Sequence, residues 1–122
     1  MRVTATTIAL ALTLSLCAVG CEDTRSPVEQ AVEWFPPSQR ATARCIIQAE
    51  SGGRPDAVSP SNDHGLFQIN AVHRRAFEAL THKPFRPTIY EPILNGQMAR
   101  KVWDDAGGSW RPWTTRSACG AS

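Results

Sequence analysis

Long apolar runs, internal repeats, metal-binding patterns and a one-sided charge are all missing from this chain of 122 residues. Its longest apolar stretch, Ile8 to Val19, is broken by Thr13 and Ser15. It is too short for a comfortable membrane-spanning helix, which needs about 20 residues. The absence of repeats and low-complexity tracts excludes solenoids and compositional tails. Lysine is scarce, and eleven acids offset the thirteen bases to a net charge of +2. The bases are scattered apart from Arg74-Arg75, which reads as a solvated face, so no nucleic-acid partner is expected. His64, His73 and His82 recur every nine residues. No metal motif uses that spacing and no Cys or carboxylate set completes one, so neither metal nor cofactor is expected. The length excludes a large multidomain enzyme, and a hydrophobic content of 42% excludes a disordered chain.

What is present starts with an address. Met1-Arg2 supplies charge, Ile8 to Val19 an apolar core, and Ala18 and Gly20 the small residues before a polar break at Glu22. This pattern marks residues 1–20 as a secretory signal. The same site resembles a bacterial lipobox, with Ala18 where Leu, Val or Ile is preferred, in which Cys21 would be lipidated. Cysteine parity bears on the choice. Cys17 leaves with the signal, and three cysteines then remain. If Cys21 carries lipid, Cys45 and Cys119 pair and none is left over, which favours a lipoprotein over a simple secreted form. A Cys45–Cys119 bridge would tie an early helix to the C-terminus. Polar residues 21–33 read as a tether, with a blurred end because Val28 to Phe35 could begin the fold.

The body, residues 34–122, reads as helix, turn-rich segment, helix, loop, helix and tail. Pro36-Pro37-Ser38 suggests a helix start with Ser38 as N-cap, and Ala41, Cys45 and Ala49 form a stripe widened by Ile46. Gly52-Gly53 stops that helix. Residues 54–65 suggest turns or a small hairpin, and Leu66 to Ile69 a short buried segment. Asn70 is placed to cap a second helix with Val72, Ala76, Phe77 and Leu80 on one face. Pro92 opens a third helix, with Leu94, Met98 and Val102 at four-residue steps, which Gly107-Gly108 ends.

Glu50 stands at the end of the first helix of the body. Apolar surroundings disfavour an ionised carboxyl, and the negative pole of a helix C-terminus acts the same way. An acid kept protonated near neutrality is suited to general acid catalysis. Downstream come Ala57-Val58-Ser59 and then Asp63-His64-Gly65-Leu66-Phe67-Gln68-Ile69-Asn70. Tyr90-Glu91-Pro92-Ile93-Leu94-Asn95 and Gly108-Ser109-Trp110-Arg111-Pro112-Trp113 follow in order.

Together with Glu50-Ser51-Gly52-Gly53, these segments resemble the lysozyme-like superfamily. The nearest resemblance is to its transglycosylase SLT-type domains, and a more distant one is to c-type lysozymes. The resemblance spans about residues 34–119. It implies a mostly helical α+β single domain with a small hairpin or turn region beside a substrate cleft. It also implies cleavage of the glycosidic bond between N-acetylmuramic acid and N-acetylglucosamine in peptidoglycan. On that basis Glu50 matches the catalytic acid, Ser51 the serine that orients it, and Gln68 the glutamine beside the substrate. Tyr90 matches a cleft-lining position. Trp110 and Trp113 offer flat faces to sugar rings or belong to the core. Asp63 matches the second carboxylate of c-type lysozymes, and it also suits a turn in Asn62-Asp63-His64-Gly65. The expected partner is the peptidoglycan glycan strand, met by a monomer whose membrane contact is through lipid at Cys21. The rival reading is a catalytically silent wall-binding or inhibitory module on the same fold, against which the intact Glu50 argues.

Overall fold

Ser26 accepts the Glu29 amide on its hydroxyl and Pro27 fills the first helical position, which starts helix α1 (Pro27–Val32). The computed structural model describes residues 22–122. Residues 1–20, expected to form a secretory signal with Cys17 in it, and Cys21 lie outside the described residues. The tether expected over 21–33 is therefore shorter than its polar composition suggests. Val28, Ala31 and Val32 recur at helical spacing, and Ala31 and Val32 are fully buried. α1 packs against α5 (Pro92–Asp105), where a Cβ on Gly96 would run into the Ala31 backbone. Glycine lets these two helices approach at backbone contact.

A 3-10 turn over Pro37–Gln39 leads into α2 (Arg40–Ser51). Ser38 lies inside that turn and makes no capping hydrogen bond, so it is not the N-cap. The buried face of α2 is Ala43, Ile46 and Ile47, while Ala41 and Ala49 face solvent. Two adjacent isoleucines carry more apolar area than scattered alanines, and they decide which way the helix turns. Glu50, four residues after Ile46, is thereby carried on the edge of the buried face. Gly52 ends the helix with φ 64°, and its amide donates to the Gln48 carbonyl at 3.0 Å.

The sheet is one short hairpin. β1 (Asp63–His64) and β2 (Ile69–Asn70) run antiparallel, with Asp63 opposite Asn70 and His64 opposite Ile69. Val58 adds an isolated bridge to His64. Between the strands, Leu66 and Phe67 drop into the core. The Asn70 side chain accepts the Val72 amide and caps the 3-10 turn that leads into α3 (Arg74–Thr81). Of the face expected on this helix, Phe77 is buried and Val72 is 79% exposed, because Val72 falls in the 3-10 turn before α3 begins. The loop expected over 81–91 contains a short helix α4 (Phe85–Thr88). α5 then runs to Asp105, with Asn95, Gly96, Met98 and Ala99 buried.

The core joins Phe35 of the α1–α2 link to Ile46, Ile47, Phe67, Phe77, Ile89 and Met98, with Trp110 and Trp113 closing over it from the tail. A final 3-10 helix, Thr114–Cys119, returns to α2 and is bonded to it through the Cys45–Cys119 disulfide. The architecture is mostly helical α+β, as the sequence implied. Among the described residues, no helix is long and apolar enough to cross a membrane.

Candidate active site

Glu50 occupies the last turn of α2 and is half-buried. Its Oε1 accepts a hydrogen bond of 2.8 Å from the Thr115 hydroxyl on the C-terminal 3-10 helix. Burial pushes this carboxyl above the ordinary glutamate range. The Thr115 bond opposes that rise, and the negative charge of Asp63 adds to it. α2 and the last helix of the chain are held together twice, by this bond at the end of α2 and by the disulfide at its middle.

Asp63 reaches the site from β1 and is partly exposed. Its carboxylate accepts from the Ser59 hydroxyl at 2.8 Å and from the Asn70 amide at 2.9 Å. Asp63 is thus a strand residue spanned by its own hairpin, and the turn before it is built by Ser59 to Asn62, whose Asn62 has φ 65°. The pairing with Asn70 holds the carboxylate close enough for its charge to bear on Glu50.

The Ser51 hydroxyl is engaged with backbone groups and not with the Glu50 carboxyl. The residue is buried, its hydroxyl donates to the Ile47 carbonyl at 3.0 Å, and its oxygen accepts the Gly53 amide at 3.2 Å. These bonds end the helix, and the hydroxyl contact to the acid comes from Thr115. Gln68 adopts φ 51° and its side-chain Nε2 donates to the carbonyls of Ala57 and Gly65, at 3.1 and 2.9 Å. It closes the hairpin base with its nitrogen, and its Oε1 takes no part in those two bonds. Trp110 is packed into the core. It is 3% exposed, its ring stacks on Phe35 at 5.0 Å, and its Nε1 donates to Gln39. Trp113 is likewise buried and donates to the Phe67 carbonyl at 2.9 Å.

Tyr90 is half-buried, and its hydroxyl pairs with Nδ1 of His64 at 2.7 Å. His64 is fully buried, with Nε2 at 2.7 Å from the Asn62 side-chain oxygen. Burial holds the imidazole below its usual range, and nearby Arg86 acts the same way against Asp63. The Arg86 guanidinium lies 3.1 Å from the same Nε2 and donates to the Asn62 oxygen at 3.1 Å. This histidine fixes the start of the hairpin and a tyrosine beside it.

Thr115 carries no readable sequence signal, and Asn95, though inside a recognised motif, shows its role only in the fold. Thr115 lies in a polar tail without periodicity, and its proximity follows only from the bridge at Cys119. Asn95 is fully buried on α5. It accepts the Phe67 amide at 2.9 Å and donates to the carbonyls of His64 and Ile89, both at 3.0 Å. A Cβ on Gly65 would collide with it, and φ 77° there also favours glycine. Asn95→Ala is expected to leave three buried backbone groups unpaired and to lower stability by about 2–3 kcal/mol in urea unfolding. A loss below about 0.5 kcal/mol would show that the hairpin does not depend on this clasp.

Two of the larger surface hollows among the described residues lie away from Glu50. One of about 390 Å³ opens beside the hairpin and is lined by Asn62, Arg74, Glu78, Phe85 and Arg86 among others. Another, of about 330 Å³, lies between Trp34 and Ile93 with Arg25 and Glu33. The acid instead sits on a half-buried surface between the end of α2 and the tail, under the influence of the hairpin carboxylate. No group of three or more metal-ligating side chains is present among the described residues. The family model described as transglycosylase SLT domain matches residues 29–114, which is more than half of the chain.

Proposed function

Since the chain belongs to the transglycosylase SLT domain family, we propose that it cleaves the β-1,4 bond between N-acetylmuramic acid and N-acetylglucosamine in peptidoglycan. Glu50 is the general acid and then the general base. The observation that supports this most is the Glu50 carboxyl itself. It is partly desolvated, raised in pKa, and held through one oxygen by Thr115. A proton passes from Glu50 to the bridging oxygen as the C1–O bond breaks and positive charge develops at C1 of the muramyl ring. The resulting carboxylate then takes the proton from the attacking hydroxyl, which returns Glu50 to its starting state.

The attacking group in this reading is the muramyl 6-hydroxyl, and the product is a 1,6-anhydro sugar. Both Asp63 oxygens already accept hydrogen bonds within the hairpin, which suits a fixed negative charge facing a cation better than a nucleophile. The chain works outside the cytoplasmic membrane in this account. It is carried there by the signal of residues 1–20 and held as a lipoprotein through Cys21. It acts as a monomer, with Gln68 and Tyr90 lining the glycan path.

Mass spectrometry of fragments released from purified peptidoglycan tests the product, with anhydro-muramyl ends expected. Asp63→Asn should reduce the rate by about tenfold, since it removes one charge but no bond-forming group. Taking away that charge should also move the alkaline limb of the pH profile downward, because Asp63 holds the Glu50 proton on. Reducing ends that vanish in Asp63→Asn, with a loss of about a thousandfold, would show a hydrolase that depends on two carboxylates.

A further inference from the structure

The Glu50–Thr115 bond does more than join two elements. Cys45 and Glu50 lie five residues apart on α2, and Thr115 and Cys119 lie four apart on the 3-10 helix. The disulfide and the hydrogen bond are therefore two adjacent rungs between the same pair of helices. The first rung is covalent, so the Thr115 hydroxyl is held beside the carboxyl by a bond as well as by the packing of the six-residue 3-10 helix on α2. Ser51, the hydroxyl next to Glu50 in sequence, is turned inward and engaged with Ile47 and Gly53. Thr115 is partly exposed, so its hydroxyl stands at the rim with the acid.

We propose that Thr115 is a positioning residue for Glu50: by donating to Oε1, it leaves Oε2 as the oxygen that carries the proton and presents it to the glycosidic bond. This rests on reading Glu50 as the acid. A carboxyl free to rotate would share its proton between two oxygens and present the wrong one part of the time. The hydroxyl removes that freedom, and it also stabilises the carboxylate left after the proton has gone. The opposing charge on Glu50 comes from Asp63 of the hairpin.

The test compares Thr115→Val and Thr115→Ser with wild type in the full oxidised chain. Cleavage of purified peptidoglycan is followed against pH, and the Glu50 carboxyl is titrated by carbon-13 NMR. Valine keeps the shape and removes the donor. Thr115→Val should raise the alkaline limb and the Glu50 midpoint together by roughly 0.5 to 1 pH unit. Its maximal rate should fall about three- to tenfold, with KM little changed. Thr115→Ser should restore all three. Unmoved limb and midpoint in Thr115→Val would overturn the proposal, and so would equal losses in the serine and valine variants. If wild type releases no glycan fragments, the functional reading fails, yet the NMR midpoint still decides whether Thr115 controls the Glu50 proton.

Discussion

Glu50→Gln is expected to reduce fragment release from purified peptidoglycan by about a thousandfold or more while the protein stays folded and still sediments with the wall. Glutamine keeps the size of the side chain, and its Oε1 can still accept from the Thr115 hydroxyl. What it lacks is an acidic proton. A chain that serves only as a binding or inhibitory module would show no difference between wild type and this variant. Stability supplies a second readout with a definite sign. The folded-state pKa of Glu50 is raised, chiefly by burial. The folded chain therefore holds the proton more tightly than the unfolded chain, and ionisation costs stability as pH climbs from the ordinary glutamate value through the folded one. Glutamine never ionises and escapes that cost. Thermal unfolding should show Glu50→Gln more stable than wild type by a few degrees at pH about 8, with the advantage gone at pH about 3.5. Catalytic loss together with a gain in stability identifies a residue kept in an unfavourable setting for its chemistry.

Breaking the Cys45–Cys119 bridge should carry the largest cost in stability. The bond closes a loop with a sequence separation of 74 residues. In the chain-entropy account, a loop of that length is worth about 4 kcal/mol through restriction of the unfolded ensemble. Small domains have a total stability of about 5–15 kcal/mol, so much of the margin rests on this one link. A Cys45→Ala, Cys119→Ala variant should lose about 4 kcal/mol in denaturant unfolding and melt roughly 20 °C lower. The loss has a functional side as well. The bridge anchors the 3-10 helix that brings Thr115 to Glu50, so a variant that still folds should cleave peptidoglycan more slowly than wild type. A stability loss under about 1 kcal/mol would mean that packing of Trp110 and Trp113 already holds the tail.

Features legible in the sequence were those with local causes. Gly52-Gly53 stops α2 because its first glycine takes the left-handed cap, and that stop places Glu50 in a last turn. Pro92 starts α5, and Asn70 caps the turn before α3. The disulfide was readable from parity, because few partners remained. Features decided by distant packing were not legible. The face of α2 follows Ile46 and Ile47 against the core, whereas the alanine and cysteine stripe suggested another. Trp110 looked as suited to a sugar as to the core, and Phe35 from the other end of the chain makes it core. Ser51 and Thr115 differ in the same way. The hydroxyl adjacent in sequence turns inward, and one 65 residues away meets the acid. Asn95 sat within a recognised motif, but its three backbone partners belong to segments that only the fold assembles.

The central claim is that cleavage depends on a proton held by one half-buried carboxyl. Its most direct test is to titrate the Glu50 side chain by carbon-13 NMR in the intact chain and set that midpoint against the alkaline limb of peptidoglycan cleavage. The two should coincide, above the ordinary glutamate range. A Glu50 that is fully ionised at a pH where fragments are still released at full rate would contradict the account.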